Sequence, residues 1–217
     1  ITGVTPEYGL LLEQNRAGDV LIQVEADVDS EYDYELLGYI TPKKMGQAYH
    51  CPVFNGLSKQ TTSEQLMDLG TQLNIHGIVP MFHVVGVTPE AADVHSAFLG
   101  RKDPPVVTIT NEDLAQARAE ISAGTGKADF CILGCPHLTI NQVGSIAKML
   151  DGQQLAGQLY IFTSTSTKEL ALRMGYLDII HKAGGEIVIN SCVDQPCWSH
   201  LYGMSGVTES PKCAYYT

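Results

Sequence analysis

The chain has 217 residues, a length that suits one large domain or two small ones. It carries 24 acidic and 13 basic side chains, which gives a net charge of −11 near neutral pH. That charge argues against nucleic-acid binding and against docking on an anionic membrane, because both need a basic surface. Hydrophobic residues make up 44% of the chain, and no apolar run approaches the roughly 20 residues of a transmembrane helix.

The chain begins at Ile1 without an initiator methionine, a basic leader or the apolar stretch of a signal peptide. Both ends interrupt sequence that is typical of folded protein, so we expect a fragment of a longer protein. The six cysteines could pair as disulfides in a secreted protein. A core of this size needs no such cross-links, however, and we therefore expect a reducing, cytoplasmic location.

The first half of the chain predicts few regular elements. Residues 20–24 are typical of a strand, whereas residues 29–55 are rich in Gly, Pro and Tyr and predict turns with a small subsidiary element. A helix is predicted over 62–73 and a strand over 78–85. Thr88, which precedes a proline, predicts the start of a short helix.

The second half alternates strands with helices. Strands are predicted over 106–109, 130–133, 159–162 and 186–189, and helices over 114–121, 139–150 and 167–183. Each helix is long enough to return the chain to a parallel strand, and the strands are apolar enough for a sheet covered on both faces. We therefore predict an α/β fold: a mostly parallel sheet with helices on both faces and a smaller irregular N-terminal part. The leading segment and subsidiary element span 1–60 and the α/β core spans 61–217, unless residues 1–217 form one continuous domain.

Ligands of parallel sheets bind beyond the carboxyl ends of the strands. Three segments lie at such positions in the predicted sheet, over 86–90, 134–137 and 190–194. Two of them contain a cysteine, Cys135 and Cys192, and the two thiols could share one crevice. A helix begins soon after Cys135, and its positive N-terminal end would favour the thiolate that binds metal. The alternative is a small apolar residue in a tight turn.

Other polar residues leave several interpretations open. His137 could be a metal ligand, an acid or base, or a loop histidine. Cys192 and Cys197 are separated by four residues, which is wider than the spacing of a zinc knuckle. The hydroxyl-rich segment 163–167 could hold an anion or only cap the following helix. The remaining cysteines are interpreted as packing residues: Cys51, Cys131 and Cys213. No dinucleotide-binding, P-loop or serine-hydrolase motif is present.

Five segments form an ordered series of short motifs. They are residues 5–9 with Asn15-Arg16, an H-x-x-G-V-T-P-E-A stretch within 82–91, an L-G-C-P-H motif at 133–137, the turn Ser191-Cys192, and an ending over 210–216 that is similar to N-S-x-K-x-A-x-Y. This series resembles the aconitase X family in order and covers nearly the whole chain. The second and third motifs together are the most specific part of the resemblance.

The resemblance implies an aconitase-like α/β domain of a hydro-lyase. Its substrate would be a small hydroxylated acid such as cis-3-hydroxy-L-proline, or alternatively mevalonate 5-phosphate. Members hold a [2Fe–2S] or [4Fe–4S] iron–sulfur cluster on three cysteines, with one iron open to act as a Lewis acid. By motif, the ligands in this chain are Cys135 and Cys192, with Cys197 as a spare candidate, and the third cysteine is expected outside the chain.

The same resemblance assigns substrate contacts to His83, Thr88, Glu90, His137, Ser210 and Lys212. The catalytic serine is expected on a separate small subunit or swivelling domain, which would be the protein partner. Ser191 stands where many members have an acidic residue, so the exact substrate stays open. Two other classes also stay open. One is a binding or scaffold domain without a cluster, and the other is a zinc enzyme that uses Cys135, His137, Cys192 and Cys197.

Overall fold

The computed structural model describes residues 2–122, 126–192 and 194–216. These residues form two compact units that divide between Arg118 and Ala119. Each unit contains a four-stranded sheet whose strand pairings are parallel. The α/β fold is therefore confirmed, but the chain builds two sheets instead of one. The division also lies well after residue 60, where the leading segment was expected to end.

The first unit is a parallel sheet with helices in its connections. Its strands are β1 (Val20–Val24), β2 (Pro52–Asn55), β3 (His83–Val84) and β4 (Val106–Ile109). Its helices are α1 (Glu31–Met45), α2 (Ser63–Gln72) and α3 (Val94–Ala97), and α4 (Asn111–Ile121) crosses the division; 3₁₀ turns at Gly9–Leu11 and Glu13–Arg16 precede them. The strand order is β3-β2-β1-β4, so β1 lies between two neighbours.

Helix α1 occupies much of the region where turns were predicted. Ser30 and Asp33 cap it reciprocally: the Ser30 hydroxyl accepts the Asp33 backbone N–H, and the Asp33 carboxylate accepts the Ser30 backbone N–H. Residues 34–42 are all buried. A helix that is buried on every side has no polar stripe, so its sequence lacks the 3.6-residue pattern by which a surface helix is recognised. The predicted turns over 29–55 were wrong for this reason.

Two local predictions in the first unit also differ from the structure. The strand expected over 78–85 is reduced to the two residues of β3. Thr88 does not begin a helix, because its hydroxyl accepts the Val84 backbone N–H at 3.0 Å and lies 3.2 Å from the Val84 carbonyl oxygen. These contacts close a tight turn, and the next helix is capped by Asp93 instead.

The second unit contains strands β5 (Phe130–Leu138), β6 (Gln158–Thr163), β7 (Gly185–Ile189) and β8 (Gly206–Thr208), in the order β7-β6-β5-β8. Its helices are α5 (Ile140–Leu150), α6 (Thr165–Arg173), α7 (Tyr176–Ala183) and α8 (Pro211–Tyr216), with a 3₁₀ segment at Pro196–Leu201. The single helix predicted over 167–183 is two helices, because Gly175 adopts a left-handed φ of 77° between them. Within the described ranges, no helix is long and apolar enough to cross a membrane.

Helical elements cover both faces of the second sheet. Ile161 and Phe162 are consecutive in β6 and therefore point to opposite faces. Ile161 packs in a cluster with Ile180 of α7. Phe162 packs in a separate cluster with Leu201 of the 3₁₀ segment and Cys213 of α8. The predicted covering of a parallel sheet on both sides is thus confirmed for this unit.

We expect Gly38→Ala to destabilise the first unit more than Gly70→Ala does. A methyl group at Gly38 would lie 2.6 Å from the Leu69 carbonyl oxygen, a backbone atom that moves only if α2 moves. At Gly70 the methyl group would lie 2.9 Å from the edge of the Phe82 ring, which can rotate away. Overpacking typically costs about 1–3 kcal/mol. Urea titrations should show a loss of that size in the free energy of unfolding for Gly38→Ala, and equal losses for both variants would contradict the close α1–α2 contact.

Candidate metal centre

Strand β5 leaves its ladder at Gly134. Its pairing with β6 is regular up to the preceding residue and then shifts before Leu138. Gly134 has a φ of 112°, and a Cβ atom there would lie 2.3 Å from the Phe162 carbonyl oxygen, so only glycine fits. The resulting bulge presents Cys135 and His137 at the carboxyl end of β5.

The thiols of Cys135 and Cys192 lie close enough to interact electrostatically. Cys135 is half-buried in the bulge, and Cys192 is exposed just after β7. Burial raises the pKa of the Cys135 thiol, and negative charge on Cys192 adds to that increase. The Ser210 hydroxyl, which hydrogen-bonds to the Cys135 sulfur, and the Lys212 ammonium lower the same pKa. The structure thus brings four of the predicted site residues together: Cys135, Cys192, Ser210 and Lys212.

The loop that carries Cys192 is tied to the bulge across β6. The Nε2 atom of His137 donates to the Ser191 carbonyl oxygen at 3.0 Å. The Trp198 Nε1–H donates to the Ser191 hydroxyl at 3.3 Å. The indole ring also packs edge-on against Tyr160, with ring centroids 5.1 Å apart. His137 therefore joins the same cluster of residues, and its observed contact holds the Cys192 loop in place.

Glu209 was missed by sequence reasoning, yet it contacts the Cys135 turn directly. Its carboxylate accepts the Gly134 backbone N–H at 2.6 Å, and the Cys135 backbone N–H is close enough to lower the pKa of that carboxyl. The Thr208 hydroxyl approaches the same carboxylate at 3.4 Å. Burial raises the pKa of Glu209 despite these hydrogen bonds. The one available signal was its position directly before Ser210 in the last motif, since its backbone partner lies 75 residues away.

The other predicted substrate-binding residues lie in the first unit. His83 is buried, and its Nε2 atom lies 2.7 Å from the Arg16 carbonyl oxygen. Glu90 forms an ion pair with Arg16, whose Nε atom lies 2.7 Å from the carboxylate. Thr88 closes its turn onto Val84. The structure groups these residues with one another, whereas the two neighbouring thiols belong to the second unit.

The part of the chain that the structure describes assembles no set of three or more His, Cys, Asp or Glu side chains around one metal position. Cys135, His137, Cys192 and Cys197 are not among such a set in the described residues, and the zinc enzyme stays a prediction. Two neighbouring thiols instead match the chemistry of a sulfur-ligated cluster that takes a further ligand from elsewhere. Segment 163–167 is a helix cap, because the Ser164 hydroxyl accepts the Thr167 backbone N–H at 3.1 Å.

Comparison with known proteins places both units in one family. Residues 18–119 match the family described as Aconitase X second domain, and residues 128–217 match Aconitase X third domain. The two matches are to numbered domains of the same family, and together they account for most of both units. The chain belongs to the aconitase X family.

Several relatives carry dehydratase names. A phosphomevalonate dehydratase large subunit from Methanothermobacter thermautotrophicus is 35% identical over 217 residues, which are 100% of this chain and 52% of that protein. A cis-3-hydroxy-L-proline dehydratase from Pseudomonas aeruginosa is 32% identical over 90% of this chain and 35% of that protein. The crystal structure of Thermococcus kodakaraensis aconitase X in its holo-form matches with a TM-score of 0.84 and 32% identity, over 98% of this chain and 53% of that chain. The chain thus spans about half the length of these relatives or less.

Replacing Lys212 with glutamine should slow the alkylation of Cys135 at a fixed pH. The Lys212 charge lowers the pKa of this thiol, so its removal raises the pKa and leaves less of the reactive thiolate. Peptide mass spectrometry of iodoacetamide-treated, metal-free protein over a range of pH would measure the shift. Lys148→Gln, at an exposed position on α5, is the matched control. An unchanged pH profile at Cys135 in Lys212→Gln would contradict the proximity of the two groups.

Proposed function

We propose that this chain is the cluster-binding part of an aconitase X dehydratase, in which Cys135 and Cys192 supply two ligands to an iron–sulfur cluster. The observation that carries the proposal is that the two thiols lie on adjoining segments, Cys135 in the bulge of β5 and Cys192 just after β7, and that the His137–Ser191 hydrogen bond joins these segments. The whole of this chain is similar to part of a dehydratase large subunit. A third ligand comes from outside the chain, since the described residues offer no group of three. Cys197, exposed after the Cys192 loop, is the spare candidate.

The surroundings of the thiols fit sulfur ligation by a [2Fe–2S] or a [4Fe–4S] cluster. Iron binds the thiolate form, and the Ser210 hydroxyl and the Lys212 charge favour that form of Cys135 against the effect of its burial. Cys192 is exposed, so the site faces outward, where a ligand from another part of the protein can complete it. When bound, such a cluster supplies an iron that acts as a Lewis acid on the departing hydroxyl group.

The side chains beside the thiols suit an acidic substrate. Lys212 lies close enough to Cys135 to affect its titration, and its ammonium group can pair with a carboxylate or phosphate through charge-assisted hydrogen bonds. The Ser210 hydroxyl accepts the Cys213 backbone N–H and also contacts the Cys135 sulfur. Its observed contacts therefore orient the cysteine that we propose as a cluster ligand more directly than a substrate. His83, Thr88 and Glu90 stay predictions as substrate contacts, because their observed partners belong to the protein.

The reaction we propose is the loss of water from a small hydroxy acid. The carbon–oxygen bond breaks, the hydroxyl leaves, and a base removes the proton from the neighbouring carbon. cis-3-Hydroxy-L-proline is the first candidate substrate and mevalonate 5-phosphate is the alternative, and a relative is named for each. A small subunit or swivelling domain would supply the catalytic serine, which fits a relative that is itself named a large subunit. A reducing, cytoplasmic setting suits six cysteines that are all free thiols.

Cys135→Ser and Cys192→Ser should each abolish cluster binding in the complete protein, because a serine hydroxyl is a much poorer ligand for iron than a thiolate. Iron and acid-labile sulfide, measured per chain after anaerobic purification, would show the loss. Cys131→Ser, four residues earlier on β5 and half-buried, is the control and should retain both.

Other results in that series would revise the proposal. Loss of iron in Cys197→Ser with retention in Cys192→Ser would move the second ligand to Cys197. Zinc in place of iron, or no metal in any anaerobic preparation, would favour the zinc enzyme or the binding domain.

The two candidate substrates can be compared directly in the complete protein with its small subunit. We expect Lys212→Gln to lower kcat/KM for the accepted substrate by about ten- to a hundredfold, since a hydrogen bond to a charged group is typically worth about 1.5–3 kcal/mol. Lys148→Gln should leave kcat/KM unchanged. Turnover of cis-3-hydroxy-L-proline alone, or of mevalonate 5-phosphate alone, would decide the substrate. Equal activity of the wild type and Lys212→Gln would remove Lys212 from substrate binding.

A further inference from the structure

The pairing between β5 and β8 stops just before the Cys135 bulge. The register runs from Phe130 opposite Gly206 to Ile132 opposite Thr208. Beyond Thr208 the chain turns into α8, which begins at Pro211. The pairing of β5 with β6 also shifts in this stretch. The backbone that presents Cys135 therefore lies where regular sheet hydrogen bonding has ended on one side and is interrupted on the other.

The Glu209 side chain takes the place of the missing strand. Its carboxylate accepts the backbone N–H of Gly134 at 2.6 Å, and the backbone N–H of Cys135 is close enough to lower the pKa of that carboxyl. Hydrogen bonds to a carboxylate are shorter and stronger than those to a neutral acceptor. The bond to the Gly134 N–H restrains the backbone at the point where the bulge begins, and the orientation of that backbone sets the direction of the adjacent Cys135 side chain.

Glu209 and Ser210 are consecutive, and they hold the same cysteine in two ways. Glu209 holds the backbone of Cys135, while the Ser210 hydroxyl contacts its sulfur. Ser210 is itself buried and fixed by the Cys213 backbone N–H at 3.3 Å. We infer that Glu209 is a positioning residue that holds Cys135 in the conformation in which it ligates the cluster, an inference that rests on the function proposed above. Glu209 acts through Cys135, and no contact between Glu209 and a substrate is part of the inference.

The test compares Glu209→Ala with Glu209→Gln in the complete protein. Alanine removes the hydrogen bond to Gly134, whereas glutamine removes the charge but keeps an oxygen that can accept an N–H. Amide hydrogen exchange of the peptide that contains residues 134–137 should accelerate by about tenfold or more in Glu209→Ala, which is the effect of losing a hydrogen bond to a charged group. Glu209→Gln should recover most of the protection. Iron should likewise be lost to a chelator faster from Glu209→Ala than from Glu209→Gln.

Asp129→Ala is the matched control, because Asp129 makes the equivalent side-chain bond at the other end of the same strand pair. Its carboxylate accepts the Ser205 backbone N–H at 3.0 Å, and it is similarly close to the start of β5. This variant should speed exchange near Ser205 and leave residues 134–137 protected. If Asp129→Ala accelerates exchange and iron loss at the Cys135 turn as much as Glu209→Ala does, the effect is general destabilisation and the inference is overturned.

The remaining outcomes separate the inference from the proposed function. Unchanged exchange at residues 134–137 in Glu209→Ala would overturn the positioning role. Another outcome is faster exchange in Glu209→Ala in a protein that binds no iron in any variant. That result would support the contact between Glu209 and the backbone, but it would refute the ligand role of Cys135 and the cluster proposal.

Discussion

The close approach of Gly134 to the Phe162 carbonyl oxygen is the constraint on which the site depends. A Cβ atom at this position would lie 2.3 Å from that oxygen, and the backbone adopts a φ of 112° there. Because β5 can pass so near to β6 only at a glycine, it bulges at this point and no longer pairs regularly. A regular strand would place alternate side chains on the two faces of the sheet. The bulge instead breaks this alternation near the carboxyl edge of the sheet, and Cys135 packs there against the cluster that contains Phe162.

The second thiol reaches the same edge through the geometry of parallel strands. Cys192 follows β7, which is separated from β5 by β6, and the His137–Ser191 hydrogen bond joins the two loops over the end of the intervening strand. This bond connects residues that are 54 positions apart in the sequence. Since the loops are joined to each other before any ligand binds, less conformational entropy is lost when a cluster binds. The two thiols are in this sense pre-organised within one unit.

The elements that the sequence predicted correctly are those with a strong local pattern. β4, β6 and β7 are short, mostly apolar runs, and α5 has a capping box at Thr139 and Gln142 followed by an amphipathic face. α1 was missed because it is buried on every side and has no such face. The break at Gly175 was missed because a glycine inside a helical pattern can be tolerated or can end the helix, and only the packing decides.

Among the residues of the candidate site, too, those with a local sequence pattern were predicted and those that depend on long-range contacts were missed. Cys135 and Cys192 were predicted from their positions just past strands, which a sequence can show. Glu209 was not, because its contact is with backbone N–H groups of a turn 75 residues earlier, and backbone partners leave no residue-specific pattern. His83 and Glu90 belong to a recognisable motif, but their observed contacts with Arg16 depend on a chain segment 67 and 74 residues earlier. Motif membership did not indicate these contacts, and the substrate contacts assigned to His83 and Glu90 stay predictions.

Trp198 is the single tryptophan of the chain, and it donates to the Ser191 hydroxyl next to Cys192. Its ring also contacts Phe162, at a centroid distance of 5.3 Å, on the strand against which the bulge forms. The tryptophan fluorescence of this chain therefore arises from one indole that contacts both the residue before Cys192 and the strand against which the Cys135 bulge forms. A coloured cofactor held there would quench its emission by energy transfer, so the chain contains its own optical reporter of loading and release.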